Sequence, residues 1–191
     1  MIKIISGAYK NCVISKFKNS KYRPTTSRLK EAIFSILESS EFKQYNIFSN
    51  QTALLDLFCG SGSLGFEAIS RGAKFVTFID INKENLYYIK KSAESLSILN
   101  DCKILNLSSL KLPEATMQYD LVFIDPPYHK NLAYLSICEL IDKSWLKNNS
   151  LLVVELAKTD DFSIEDLTSI NIIKSRIYGN SKLIILKFTQ V

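Results

Sequence analysis

The sequence is poor in the residues that build metal sites. It has a single histidine, His129, and four scattered cysteines (Cys12, Cys59, Cys102, Cys138) without a C-x-x-C pair. Such a set does not supply a tetrahedral sulfur–nitrogen cluster, so no metal is expected. The thiols read as buried residues in a reduced compartment. No apolar run approaches the roughly 20 residues of a membrane span, and Met1–Ser6 is too short an apolar stretch for a signal peptide. A cytoplasmic protein with no membrane contact is the expectation. Acid is missing from residues 1–30, which carry eight basic side chains: Lys3, Lys10, Lys16, Lys18, Lys21, Arg23, Arg28 and Lys30. The net charge of +5 is therefore an N-terminal feature, because the remainder holds 16 basic and 19 acidic residues. A concentrated basic segment suits a phosphate backbone, whose counterions are released on binding. A solvated basic edge strand is the plainer alternative.

What is present is ordinary for a globular enzyme. The chain of 191 residues is 47% hydrophobic and 23% charged, enough for one domain with a full core and a short appendage. Residues 2–5 and 12–17 are short β-rich stretches around Gly7. Pro24 then forces an extended turn before hydroxyls suited to cap a helix over 27–39. A polar connector spans 39–51. From residue 52 strands and helices alternate: strands at Ala53–Phe58, Phe75–Asp80, Lys103–Leu107, Leu121–Asp125 and Ser150–Leu156, with helices at 62–71, 83–98 (capped by Asn82) and 131–144. Two β-rich runs, 171–178 and 182–188, flank Gly179-Asn180, a hairpin signal. This alternation predicts an α/β fold, a Rossmann-like doubly wound sheet of about seven strands. It is mostly parallel, with an antiparallel C-terminal hairpin strand and a short β-rich N-terminal appendage. Residues 1–26 are read as a basic hairpin appendage for RNA contact and 27–191 as the main domain.

The strand at Leu121–Ile124 runs into Asp125-Pro126-Pro127-Tyr128. Two prolines cannot continue a central strand, since each lacks an N–H and has a fixed φ. The chain must leave the sheet in a stiff turn presenting a carboxylate, a backbone carbonyl and an aromatic ring. That set suits a planar group with an exocyclic amine, held by hydrogen bonds from the amine and by stacking. A nucleobase or a planar amide fits this description. A proline-rich turn with a core tyrosine is the bland alternative.

Asp56-Leu57-Phe58-Cys59-Gly60-Ser61-Gly62-Ser63-Leu64-Gly65 places G-x-G-x-x-G between a strand and a helix. This spacing is shared by dinucleotide and S-adenosylmethionine sites. Asp80 ends the next strand, where a carboxylate can accept from two ribose hydroxyls; capping a helix is its other reading. Asp56 discriminates between the ligands. A carboxylate beside the loop repels a diphosphate but suits the ammonium and sulfonium charges of S-adenosylmethionine.

The glycine loop, Asp80 and Asp125–Tyr128 together resemble class I S-adenosylmethionine-dependent amino-methyltransferases. Ile4-Ile5-Ser6-Gly7 and Arg23-Pro24-Thr25-Thr26-Ser27-Arg28 with Glu31 resemble the RsmD family, which methylates the exocyclic N2 of a guanine in small-subunit (16S) ribosomal RNA. The resemblance runs from about residue 2 to about residue 156. It implies S-adenosyl-L-methionine as cofactor, held by Asp56, Phe58, Cys59, Gly60, Gly62, Asp80, Ile81 and Ser108, with Thr26 and Arg28 at its border. It implies catalysis by Asp125, Pro126, Pro127 and Tyr128. Lys10, Lys16, Lys18, Lys21 and Arg23 would grip RNA phosphates. Ser108-Ser109 depart from the family's usual Asp or Asn followed by Ala, and Cys59 stands where Ala is usual.

On this reading Asp125 and the Pro126 carbonyl aim the amine, Asp125 or water takes its proton, and Tyr128 stacks on the base with its ring mattering more than its hydroxyl. His129 reads as a solvent-exposed loop residue. Ribosomal RNA or a partly assembled small subunit is the expected partner, and a monomer the expected state. Two alternatives remain: an amino-methyltransferase acting on DNA adenine N6 or a protein amide, and a nicotinamide-nucleotide oxidoreductase or non-catalytic nucleotide-binding module.

Overall fold

The structure is a computed structural model that describes residues 2–15, 27–128 and 131–190. Strands β1 (Ile2–Lys3) and β2 (Val13–Ile14) pair antiparallel as a small separate sheet. Seven strands form the main sheet: β3 (Ala53–Leu57), β4 (Phe75–Asp80), β5 (Cys102–Asn106), β6 (Tyr119–Ile124), β7 (Leu146–Ala157), β8 (Ile170–Tyr178) and β9 (Ser181–Phe188). Their spatial order is β5-β4-β3-β6-β7-β9-β8. The pairs from β5 through β7 are parallel, and β9 runs antiparallel between β7 and β8. The chain steps outward from β3 to β5 and then returns to β6 beside β3. That reversal opens a crevice at the carboxyl ends of β3 and β6, where doubly wound sheets bind ligands.

Burial explains the pattern. Central strands covered on both faces read as nearly unbroken apolar runs, and Leu54, Leu55 and Leu57 of β3 are fully buried. Alternate residues feed two separate cores. Leu54, Phe78 and Phe123 face the helices α1 (Ser27–Leu37), α2 (Ser63–Ser70) and α3 (Lys83–Ser95), whose Phe34, Phe66 and Ile89 share their cluster. Leu55, Leu57 and Val122 face α4 (Leu132–Asp142) through Ile137 and Leu140. Gly65 shows how tight this packing is: a Cβ there would lie 2.3 Å from the Phe78 ring.

Several elements differ from their sequence-based bounds. The helix expected over 27–39 ends at Leu37, and part of the polar connector coils as a 3-10 helix, Ser40–Tyr45, because Phe42 drops into the core. The helix expected to 98 stops at Ser95, with a 3-10 turn at Leu99–Asp101. Strand β7 starts at Leu146 rather than 150: its register with β6 shifts between Tyr119↔Leu146 and Leu121↔Leu151, and Asn149 takes a φ of 67°. Asn and Ser in this stretch hid a strand interrupted by a bulge.

The N-terminal sheet packs tightly on the main body. Ile4 and Ile14 are buried in the core cluster that holds Phe34. The N–H groups of Ile5 and Ser6 donate to the Glu67 carboxylate at 2.7 and 3.0 Å. Glu67 is fully buried on α2 and also meets Arg71 Nε at 2.9 Å and Lys30 Nζ at 3.3 Å. Lys30 in turn donates to the Lys3 carbonyl at 2.9 Å; burial pulls its ammonium below the usual lysine range against the attraction of Glu67. Gly7, at φ +84°, lies so close to α2 that a Cβ would sit 1.7 Å from the Ser70 carbonyl oxygen.

Candidate active site

The crevice is a cleft of about 1080 Å³ lined by the glycine loop, the ends of β4 and β6, residues 107–110 and the β8–β9 turn. Pockets that enclose a drug-sized ligand are roughly 300–1,000 Å³. There is room for a cofactor and part of a second molecule.

Three carboxylates meet here from three neighbouring strands. Asp56 pairs in register with Phe78 on one side and Phe123 on the other, deep in the sheet. It is 2% exposed and accepts the Gly65 N–H at 3.0 Å. Burial raises its carboxyl well above the usual range, partly offset by that hydrogen bond, and Asp125 and Asp80 push the same way as burial. A ligand cation would relieve the charged form. Asp80 holds the glycine loop and the start of α3 together: it accepts from Gly60 N–H at 2.9 Å, Asn82 N–H at 2.8 Å and Asn85 Nδ2 at 3.0 Å. The cap of α3 is Asn82, whose side chain accepts from the Glu84 N–H at 2.9 Å, so Asp80 braces the loop without capping the helix, and it also lies on the cleft wall.

Phe58 turns the chain out of β3 with a φ of 67°, left-handed for a bulky residue. It lines the cleft with Cys59, Gly60 and Asp56. Cys59 is 7% exposed, and burial, then Asp56 and Asp80, raise its thiol well above the usual range. It is a packing residue, not a nucleophile. Ile81 leaves its side chain 72% exposed on the cleft rim, an apolar surface for a flat ligand. Gly62 caps α2 in the left-handed region. Ser108 lies exposed on the wall, its Oγ accepting from the Leu110 N–H at 3.3 Å. Arg28, in the first turn of α1, reaches the same cleft.

The turn after β6 behaves as its prolines demand. Asp125 is half-buried, Pro126 buried, Pro127 exposed and Tyr128 half-buried, and all four line the cleft. The Tyr128 hydroxyl donates to Glu155 Oε1 at 3.1 Å and lies 3.1 Å from Ser181 Oγ. Burial raises the phenol above its usual range.

Of the basic set, Lys10 is exposed on the turn between β1 and β2. Lys16, Lys18, Lys21, Arg23 and Thr26 lie outside the described residues, as does His129. Sequence reading missed Asn85, Asn106, Glu155 and Ser181. Asn106 faces Asp80 across the β4–β5 pair and donates to the carbonyls of Asp80 and Ile81 at 2.9 and 3.0 Å. Glu155 carried a readable signal, a lone charge inside the apolar run 151–157. Among the described residues no helix is long and apolar enough to cross a membrane, and no cluster of His, Cys, Asp or Glu is placed to hold a metal.

The strand order and an acidic cleft beyond the glycine loop define a class I methyltransferase. The particular family is equally clear. Residues 2–187 match the family described as Conserved hypothetical protein 95. A "Ribosomal RNA small subunit methyltransferase D" of Haemophilus influenzae is 34% identical over 94% of each chain, and an uncharacterized methylase of Rickettsia prowazekii is 39% identical over the whole of this chain and 99% of its own. The crystal structure of a putative methylase from Haemophilus influenzae superposes with a TM-score of 0.79 at 30% identity, covering 99% of both chains. The chain belongs to this family of RsmD-type methyltransferases.

Proposed function

We propose that the protein uses S-adenosylmethionine to methylate the exocyclic N2 amine of a guanine in small-subunit ribosomal RNA. One observation carries this reading. Asp56, Asp80 and the Asp125–Tyr128 turn converge on one cleft large enough for a cofactor and a base. The names of several relatives, ribosomal RNA small subunit methyltransferase D, support ribosomal RNA as the acceptor.

S-adenosylmethionine, when bound, supplies a methyl group already carried on a good leaving group. The protein's task is then positioning. Asp80 and Ile81 would hold the ribose and the adenine face. Asp56 would meet the cationic end, where its buried charge gains a partner, and Phe58, Cys59, Gly60 and Gly62 bring backbone close to the ligand. Ser108 would border the adenine and Arg28 the outer edge. The guanine amine is a poor nucleophile because its lone pair is delocalised into the ring. Hydrogen bonds from the amine to the Asp125 carboxylate and the Pro126 carbonyl aim it and localise that pair. Asp125 or water accepts the departing proton. Pro127 stiffens the turn, and Tyr128 stacks on the base. A base inside a duplex must first leave its stack, which costs a few kcal/mol and favours loop nucleotides.

The test uses small subunits and naked 16S RNA from a strain lacking the gene, incubated with labelled S-adenosylmethionine and mapped by nuclease digestion. Label on a single N2-methylguanine is the expected result. Binding of S-adenosylhomocysteine without transfer to either RNA would move the acceptor to DNA or protein. Retention on a nicotinamide analogue instead would remove the methyltransferase reading.

A further inference from the structure

Glu155 is a buried charge with no part in the proposed methyl transfer. It is 5% exposed on β7, between Val154 and Leu156, where the sheet alone would be served by an apolar side chain. A carboxylate survives burial only when donors face it. Two of those donors are hydroxyls: Tyr128 at 3.1 Å and Ser181 at 3.0 Å, both to Oε1. The two hydroxyls are themselves 3.1 Å apart. Three side chains from three segments thus gather on one carboxylate oxygen, the two hydroxyl protons serving three close contacts. Ser181 begins β9 and stands opposite Ala157 and Tyr178 in register, so it fixes the tip of the terminal hairpin. Tyr178, Gly179 and Asn180 of that tip line the same cleft as Asp125.

We propose that Glu155 and Ser181 are positioning residues that lock the Tyr128 ring in the acceptor pocket, making the C-terminal hairpin one wall of the base site. The assignment rests on the methyltransferase reading above. Tyr128 follows two rigid prolines, yet its own χ angles are set by whatever its ring and hydroxyl touch. Anchoring the hydroxyl orders the ring before a base arrives, so the ordering cost is not met at binding. The β8–β9 strands, which extend the sheet past the parallel core, thereby acquire a role in recognition.

A double-mutant cycle on the full-length protein tests this. Tyr128→Phe, Glu155→Gln, Ser181→Ala and the Tyr128→Phe/Glu155→Gln pair are compared on the ribosomal RNA acceptor and by calorimetry with S-adenosylhomocysteine. All four should bind S-adenosylhomocysteine within about twofold of wild type. Turnover per acceptor KM should fall roughly three- to twenty-fold in each single variant, the size expected for one lost hydrogen bond. The double variant should be no worse than Tyr128→Phe alone, because Glu155 acts through that hydroxyl. Equal effects of Glu155→Gln in the Tyr and Phe backgrounds overturn the assignment, as does near wild-type activity of Glu155→Gln and Ser181→Ala. If Glu155→Gln does not fold, Ser181→Ala takes its place in the cycle under the same criteria. A wild-type protein that binds S-adenosylhomocysteine but methylates neither RNA nor subunit overturns the substrate reading and this assignment with it. An active wild type with additive variants sinks the assignment alone.

Discussion

Asp56 and Glu67 sit eleven residues apart on one strand–loop–helix unit, both essentially without solvent exposure, and their surroundings are opposite. Glu67 is enclosed by the Ile5 and Ser6 N–H groups, Arg71 and Lys30, donors from the N-terminal sheet, α1 and its own helix. Asp56 accepts the Gly65 N–H, with two more carboxylates near enough to raise its carboxyl further. The first charge is completed by its own chain and ties three segments together. The second is under-compensated and opens on a cleft. A buried charge satisfied internally is structural; one held at a cost beside a cavity is prepared for a ligand.

The largest effect should come from the site side of this contrast. Asp125→Ala is expected to lower methyl transfer about a thousandfold, with S-adenosylhomocysteine affinity within a few-fold, because Asp125 is assigned to the acceptor amine. Single-turnover assays on a folded variant decide this, and near wild-type transfer removes Asp125 from catalysis. Glu67→Ala should show the reverse profile. Removing one partner from a buried ion network costs about 3–5 kcal/mol, and it leaves Lys30 buried without its carboxylate while Arg71 keeps Glu38. Urea unfolding should register that loss, and a shift below 1 kcal/mol would deny Glu67 its structural role.

Asp80 belongs to both categories, which makes it the sharper probe. Losing a charge-assisted acceptor costs on the order of 1.5–3 kcal/mol, so Asp80→Ala should weaken S-adenosylhomocysteine binding ten- to a hundredfold. Some stability should go with it, since Gly60, Asn82 and Asn85 lose their acceptor. Intact affinity in a folded variant would leave Asp80 a loop brace and nothing more. Asp56→Asn completes the comparison. In the folded chain burial lifts this carboxyl above the 3.8 of its ordinary value. Its stabilising contribution is therefore full below that pH and is lost as pH rises through the folded value. The Asn variant escapes that loss. Relative to wild type it should gain stability from acid toward neutrality, while binding S-adenosylhomocysteine roughly tenfold less tightly. Unfolding curves across that pH range, paired with calorimetry, show both; a variant less stable than wild type at pH 7 contradicts the account of Asp56.

Much of this was legible because the informative residues punctuate. Prolines 126 and 127 had to end β6, and the glycine spacing had to separate β3 from α2. Both signals are local and survive without tertiary knowledge. What stayed hidden was contact between distant segments. Ile5 and Ser6 looked like part of a short appendage; nothing in residues 1–26 reveals that Glu67 lies under them, 62 and 61 positions away. The Tyr128 hydroxyl is similar. Its ring was readable from the motif, but Glu155 and Ser181 reach it only through the pairing of β7 with β9. Strand β7 itself was read only from Ser150, because the irregularity around Asn149 separates its first residues from the apolar run. Local chemistry picked out residues that line one cleft, and long-range pairing supplies the contacts around them.

The smallest expected effect belongs to a charge of a third kind, exposed and outside both networks. Lys10 stands on the turn between β1 and β2, and it makes no ion pair among the described residues. The sheet that carries it is pinned to α2 through Gly7, Ala8 and Tyr9, whose close approach and N–H groups meet Ser70. Lys10 is thus presented from a rigid mount rather than a loose arm. Because phosphate contacts position a protein and base contacts specify, Lys10→Ala should leave fold and S-adenosylhomocysteine binding untouched. RNA affinity should drop a few-fold at low salt, and the log–log salt slope should fall by about 0.7–0.9, the share of one phosphate. Filter binding from low to moderate salt measures that slope directly. An unchanged slope would make Lys10 a solubility charge, and the N-terminal sheet would keep only the structural role that Glu67 gives it.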